Sequence, residues 1–226
     1  MYQDNPNINE NGYIYAKWKI NENTYMIRYN NMYSYLLIGS QRALVIDTFY
    51  GHGNLRQFVE SLTDKPTCVA NTHGHFDHTG GNAWCPEVYV TEESSKDMKI
   101  AFSENEKALM ARMPYPDYQA NLVKDGDKID LGGRFVEVIT IGCHHPGSMA
   151  LLDSETHFLF TGDELESGQV LLGSGGPEKI ALHKANMEKL YARIDEIAMI
   201  GPAHNGSPLS KEYIHDYLVL LSLIHI

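Results

Sequence analysis

The chain has 226 residues, 43% of them hydrophobic and 21% charged, which suits one soluble globular domain with a large core. Its formal net charge of −11 argues against nucleic acid or an anionic membrane surface as the main partner, because both select Lys/Arg-rich faces. No apolar run approaches the ~18 residues of a membrane-spanning helix, and the polar start "MYQDNPNINENGY" lacks the basic and apolar regions of a signal peptide, so a cytoplasmic protein is expected.

Taken in chain order, "YIYAKWKI" (13–20) and "TYMIRYNNMYSYLLIG" (24–39) alternate apolar and polar residues. They read as antiparallel strands, with Asn30-Asn31 as a hairpin turn. "RALVIDTF" (42–49) is a further strand, paired with the previous one across Gly39-Ser40. "NLRQFVESL" (54–62) is an amphipathic helix. "PTCVANT" (66–72) is a short apolar run ending at a polar pair, which suggests a buried strand. "EVYVT" (87–91) is a strand, and residues 92–113 are helical with a break expected near Ser103. Pro114 and Pro116 mark a loop.

In the second half, turn residues surround a short strand in "DGDKIDLGG" (125–133). "RFVEVITI" (134–141), "SMALLD" (148–153) and "THFLFTGD" (156–163) are strands. "ESGQVLLGSGGPEK" is Gly-rich and irregular. Residues 177–194 form a helix, with Pro177 suited to its first turn. "IAMIGPAHNG" is a last strand and loop, and 210–221 a helix with Ser210 as its N-cap. Strands dominate each half, and helices fall between and after them. The expected fold is a four-layer α/β/β/α sandwich, one domain over residues 1–226. The end, "LLSLIHI", reads like a sequencing adapter translated in one frame. Residues from about 221 to 226 are therefore expected to be adapter-derived, with the native chain continuing past about Leu220, and His225 is assigned no role.

The strongest chemical signal is "ANTHGHFDHTGGNAW" (70–84), which packs His73, His75, Asp77 and His78 into six residues. A half-buried strand wants apolar side chains on one face, and histidines do not supply them. Neutral imidazole is the commonest protein ligand for transition metals, and a carboxylate is a good companion for zinc. In open α/β sheets, ligands collect just beyond the carboxyl ends of strands, where these residues fall. His73 and His75 point the same way in extended backbone. Asp77 and His78, after a bend, can point elsewhere. One loop can thus offer two pairs of ligands to two neighbouring ions.

Three more apolar strands end at a His or Asp beside Gly or Pro: "TIGCHHPGSMAL" with His144 and His145, "FLFTGDEL" with Asp163, and "IAMIGPAHNG" with His204. Here the chain resembles the metallo-β-lactamase-fold hydrolases, from about Tyr13 to Tyr217. "THGHFDHTGG" matches the family's His-x-His-x-Asp-His motif. "GCHHPGS" stands where the family usually has Pro-Gly-His-Thr-Pro-Gly-Ser, so the metal histidine maps to His144 and His145 takes the place of Thr. The resemblance implies the sandwich fold and two divalent ions, most simply zinc, with iron or manganese as alternatives. It places His73, His75 and His144 on one ion, and Asp77, His78 and His204 on the other. Asp163 and a water-derived hydroxide would bridge the two. Asp77 and Asp163 would orient the hydroxide and take up protons. Asp47 resembles the family's aspartate that hydrogen-bonds behind the metal histidines.

The implied activity is hydrolysis of a small ester, thioester or lactone, similar in its site to glyoxalase II and the acyl-lactone hydrolases. The partner is then a small molecule; no oligomeric state is implied. Asp163 fills a position where β-lactamases of this fold usually carry Cys or Ser, which disfavours β-lactams, and the acidic balance disfavours nucleic-acid phosphodiesters. A mononuclear iron persulfide dioxygenase, using a subset of the same ligands, is the alternative from another class. The three cysteines Cys68, Cys85 and Cys143 are widely spaced and imply no disulfide framework. Cys68 reads as core and Cys143 as a weak ligand candidate. His52, His157 and His215 read as surface, and His145 as pointing away from the ions. His183 is a candidate for the site mouth, and residues 164–176 for a substrate-shaping lid.

Overall fold

The computed structural model describes residues 14–98, 118–173 and 175–224. One mixed sheet holds seven strands in chain order: β1 (Ala16–Asn21), β2 (Thr24–Tyr29), β3 (Met32–Ile38), β4 (Ala43–Ile46), β5 (Thr67–Ala70), β6 (Glu87–Thr91) and β7 (Gln119–Val123). The first four pair antiparallel, and β4 to β7 pair parallel. The second sheet has the order β13-β12-β11-β10-β9-β8. Its strands are β8 (Lys128–Asp130), β9 (Phe135–Thr140), β10 (Met149–Asp153), β11 (Phe158–Gly162), β12 (Met199–Pro202) and β13 (Leu209–Ser210). Only β11 and β12 pair parallel there.

Strand alternation sends successive residues to opposite faces, and the buried residues sort into three interlayer cores. Leu37, Leu44, Ile46, Cys68 and Ala70 of the first sheet meet Val136, Val138, Leu151 and Phe160 of the second. The other face of the first sheet, with Leu36, Val45 and Val69, packs on Leu55, Phe58 and Val59 of helix α1 (Leu55–Glu60). The other face of the second sheet, with Ile139, Ala150, Leu159 and Ile200, packs on two helices. Met187 and Leu190 come from α4 (Pro177–Tyr191), and Ile214 and Leu221 from α5 (Glu212–Leu223). Three cores between layers make the four-layer α/β/β/α sandwich. Two shorter helices, α2 (Phe76–Thr79) and α3 (Glu92–Asp97), follow β5 and β6.

The Asn30-Asn31 turn forms as expected, with Tyr29 opposite Met32 and Asn30 at φ 55°. The strand expected over 42–49 stops at Ile46, because Asp47 and Phe49 take positive φ (61° and 57°), which extended backbone excludes. Of the helix expected over 92–113, α3 is the described part. The remainder, with the break near Ser103 and the loop at Pro114 and Pro116, lies outside the described residues, as do Tyr13 and His225. β7 and β13 had no counterpart in the sequence reading. Ser210 is not the N-cap of α5: it belongs to β13, Lys211 occupies the cap position, and the Ser210 hydroxyl accepts only a long 3.4 Å bond from the Glu212 N–H. No helix among the described residues is long and apolar enough to cross a membrane.

Candidate metal centre

β5 delivers the histidine loop to the carboxyl edge of the first sheet. His75 precedes α2 and Asp77 and His78 lie in it, so the one-turn helix separates the two ligand pairs. The Gly80-Gly81 pair after it answers to a close approach. A Cβ on Gly80 would stand 2.4 Å from the Tyr50 main chain, and one on Gly81 2.5 Å from the Thr48 carbonyl oxygen. On the second sheet, β11 brings Asp163 in through Gly162, at φ 56° and pressed against Thr72. His144 enters on the turn after β9 and His204 on the turn after β12.

Seven side chains expected from the sequence therefore meet. His73 Nε2 stands 2.9 Å and His144 Nε2 3.0 Å from His75 Nδ1. On the other side, His204 Nε2 lies 3.3 Å and His78 Nε2 3.7 Å from Asp77 Oδ2. In each triad the ligand atoms lie within 4.8 Å of one another. Asp163 stands between them: Oδ1 is 3.3 Å from His78 Nε2 and 3.5 Å from His204 Nε2, while Oδ2 is 3.6 Å from His144 Nε2.

Burial and charge together set the protonation of the centre. Burial, reinforced by the neighbouring imidazoles, holds His73 well below the usual histidine value and also lowers His75. Burial would lower His78 too, but Asp163 and Asp47 outweigh it and raise it well above its ordinary value. His204 is raised against its burial by the hydrogen bond to Asp77 and the charge of Asp163. Burial works to raise both carboxylates. His204 and His78 overcome it for Asp77, and His78 above all for Asp163, so both stay below the usual range.

These residues suit divalent ions. His78 Nε2 and Asp163 Oδ1 are buried with no hydrogen-bond partner, although they face each other at 3.3 Å. The His75 Nδ1 has one in-plane lone pair or one N–H, yet two imidazole nitrogens approach it within 3.0 Å. Lone pairs converge on a common point, and ions would take the place of the protons.

The outer partners are fixed. Asp47 Oδ2 lies 2.9 Å from His78 Nδ1. Its two oxygens also accept from the Thr72 N–H and hydroxyl, at 2.8 Å each. His144 Nδ1 meets the Leu171 carbonyl at 2.5 Å. A buried polar scaffold that the sequence reading did not single out holds the loop from below. Asn71 Nδ2 donates to the His78 carbonyl at 2.8 Å, Asn82 Nδ2 donates to Asn71 Oδ1 at 2.8 Å, and the Thr48 hydroxyl lies 3.0 Å from the same His78 carbonyl. The signal was faint: an Asn-Thr pair closing an apolar strand and an Asn after Gly-Gly.

Other expectations need revision. His183 does not reach the site mouth; it is buried beside Glu164, because it projects from the inner face of α4. Of the residues expected to shape the substrate site, Glu164, Leu165 and Glu166 are buried, and the described residues from Ser167 to Gly176 are exposed or half-buried. His145 is buried with its ring against His73 and His75, at centroid distances of 5.8 and 5.1 Å, but its nitrogens are engaged elsewhere: Nε2 lies 2.8 Å from Asp97 Oδ2 and Nδ1 accepts from the Gly147 N–H. His52, His157 and His215 are exposed or half-buried. Cys68 lies in the core as expected, whereas Cys143 joins Glu164 and His183; burial and the charge of Glu164 push its thiol up to about 11.

A family model for the metallo-beta-lactamase superfamily matches residues 30–204. The chain is 30% identical over 164 residues to the acyl-coenzyme A thioesterase MBLAC2 of Gallus gallus, covering 61% of this chain and 58% of that protein. It thus spans less than two thirds of that relative's length. It is 24% identical over 177 residues to the probable metallo-hydrolase YqgX of Bacillus subtilis, covering 76% of this chain and 80% of that one. Among solved structures, a metallo-beta-lactamase family protein from Thermus thermophilus superposes with a TM-score of 0.69 at 18% identity, over 90% of this chain and 81% of that one. The metallo-beta-lactamase FIM-1 from Pseudomonas aeruginosa, in its mono-zinc form, does so with 0.68 at 18%, over 92% and 95%. The family match takes in strands of both sheets and all four strand ends that carry the clustered His and Asp residues: this chain belongs to the metallo-beta-lactamase superfamily.

Proposed function

We propose that the chain is a hydrolase dependent on two divalent ions, most simply zinc, acting on a small acyl thioester or ester, with lactones as a related class. Asp163 carries the reading, because one carboxylate presents Oδ1 to His78 and His204 and Oδ2 to His144. When bound, two such ions would bring the pKa of water toward about 7 and polarise a substrate carbonyl. His73, His75 and His144 would hold one, Asp77, His78 and His204 the other, with Asp163 between them.

The protein's own groups do the rest. Asp77 and Asp163 stay ionised, so each remains a proton acceptor at neutral pH. Asp47 holds the His78 ring through Nδ1, which leaves Nε2 free to face the centre. Tyr50 and Phe76, with ring centroids 5.7 Å apart, form an aromatic wall next to Asp77. The Leu171 side chain is 58% exposed on the strand of chain that touches His144. These surfaces suit an apolar acyl group, and the thioesterase activity in the MBLAC2 name supports a thioester first.

Elemental analysis of protein purified without added metal should find about two or more ions per chain. A panel of thioesters, aryl esters and lactones should be hydrolysed, with activity abolished by a chelator and restored by zinc or manganese. A cephalosporin and a phosphodiester reporter should be at least roughly tenfold weaker. A phosphodiester as best substrate would overturn the acyl assignment. One iron per chain, with oxygen uptake on a persulfide, would overturn the hydrolase itself.

A further inference from the structure

Behind His144 lies a second cluster of donor atoms that hydrolysis does not use. Cys143, Glu164 and His183 are 0%, 1% and 2% exposed. They come from the turn after β9, the exit of β11 and helix α4. Their Sγ, carboxylate oxygen and imidazole nitrogen lie within 4.8 Å of one another. One oxygen of Glu164 is committed: Oε1 accepts from the N–H groups of Cys143 and His144, at 2.7 Å each. The other, Oε2, is buried with no partner, and so are both ring nitrogens of His183.

Burying three such atoms unpaired is costly. A direct ion pair does not relieve it here. His183 Nδ1 stands 3.7 Å from Glu164 Oε2, whereas a charge-assisted hydrogen bond would close to roughly 2.7–2.9 Å. That spacing is instead near the edge of a tetrahedron of ligands held roughly 2.0–2.3 Å from a central cation. A further oxygen borders the space, since Cys143 Sγ lies 3.1 Å from the Lys179 carbonyl.

The geometry points to a third cation site, separate from the two triads, in which Cys143 Sγ, Glu164 Oε2 and His183 Nδ1 hold one thiophilic divalent ion such as zinc. A thiolate and a carboxylate cancel the ion's charge, as a buried set requires; the thiol proton leaves to solvent when the ion enters. Sulfur and nitrogen donors select zinc over magnesium or calcium. The site is a brace rather than a reaction centre. Through Oε1 of Glu164 it ties the main chain of His144, and through His183 it ties that turn to α4.

The test uses cobalt as a spectroscopic stand-in. The two triads hold only nitrogen and oxygen donors, so thiolate-to-cobalt charge transfer in the near ultraviolet reports this site alone. Protein should be produced in minimal medium with cobalt as the supplied transition metal, so that the ion is present during folding. The wild type should show the band, Cys143→Ser should lose it, and Cys68→Ser and Cys85→Ser should keep it. His183→Gln should lower cobalt content by about one ion per chain. Asp77→Asn, which weakens a triad, should leave the band in place. Absence of the band from wild type, or its persistence in Cys143→Ser, would overturn the proposal without touching the hydrolase reading. Should Cys143→Ser fail to fold, the band's survival in both other cysteine variants assigns it to Cys143, and its loss in either overturns the site.

Discussion

Arg134 and Asp153 at one edge of the second sheet are as deeply buried as His73 and His78, the innermost residues of the histidine centre, yet they are wired in the opposite way. Arg134 Nε and Nη2 donate to the two oxygens of Asp153 at 2.7 Å each. Its Nη1 donates to the Asn23 carbonyl at 2.9 Å, and Nη2 also reaches the Thr24 hydroxyl at 2.8 Å. Asp153 Oδ2 takes a further bond from the Thr156 N–H. This cluster closes on itself and holds the two sheets together. In the metal centre, His78 Nε2 and Asp163 Oδ1 have no partner, and three imidazole nitrogens crowd one another. A polar cluster that serves structure spends its lone pairs; one that serves binding aims them at a shared point. The two clusters should therefore fail differently when broken.

The largest effect belongs to the closed cluster. Asp153→Ala removes both charge-assisted bonds of a buried guanidinium and leaves only the Glu155 carboxylate at 3.9 Å as a counter-charge, and removing one partner of such a pair costs about 3–5 kcal/mol. Thermal or urea unfolding should register that loss, while metal content of the folded protein stays at the wild-type value. Equal loss of stability and of metal would mean that the clusters are not independent.

In the open cluster the loss should fall on activity. Asp77→Asn keeps the size and removes the charge facing His78 and His204. Hydrolysis should fall by a factor of about 10² or more with the fold retained. Wild-type turnover in this variant would show that the second triad is not catalytic.

A smaller effect lies one bond further out. Asp47 only accepts, so it requires the proton of His78 on Nδ1 and leaves Nε2 bare. An amide in its place can donate instead and favour the other tautomer. Asp47→Asn should weaken metal affinity about 10–100-fold, read by competition with a chromogenic chelator. An unchanged affinity would assign Asp47 to the Thr72 contacts alone.

The open cluster was also the legible one. His73 to His78 announce themselves by spacing, and Asp163 and His204 by closing apolar strands. The closed cluster was silent, because Arg134 and Asp153 meet only after β9 and β10 pair. Likewise Glu164 and His183 come from different elements, and His183 on a helix could be placed only by knowing which face α4 buries. Strand β7 was unreadable for another reason: it ends the sheet with mostly exposed residues, and Ala120 and Leu122, the apolar pair that shares one side of "QANLV", are exposed rather than buried. The strand through Asp47 was overdrawn because composition cannot show a positive φ held by tertiary contacts.

The finest test is in acid. Burial would raise the Asp153 carboxyl, but the hydrogen bond and charge of Arg134 outweigh it and hold it below the usual carboxylate range. A folded pKa below the unfolded value, about 3.9, makes the contribution full above that value. It drains as pH falls through the folded pKa. The gap in melting temperature between wild type and Asp153→Asn should therefore be flat at about pH 5–8 and narrow below about pH 4. Each 1 kcal/mol lost closes it by roughly 2–4 °C in a chain of this size. Other carboxylates titrate in both proteins, so the difference isolates this pair. A gap that stays constant into strong acid would mean that the pairing with Arg134 does not depend on the charge of Asp153, and the closed cluster would then be held by hydrogen-bond geometry alone.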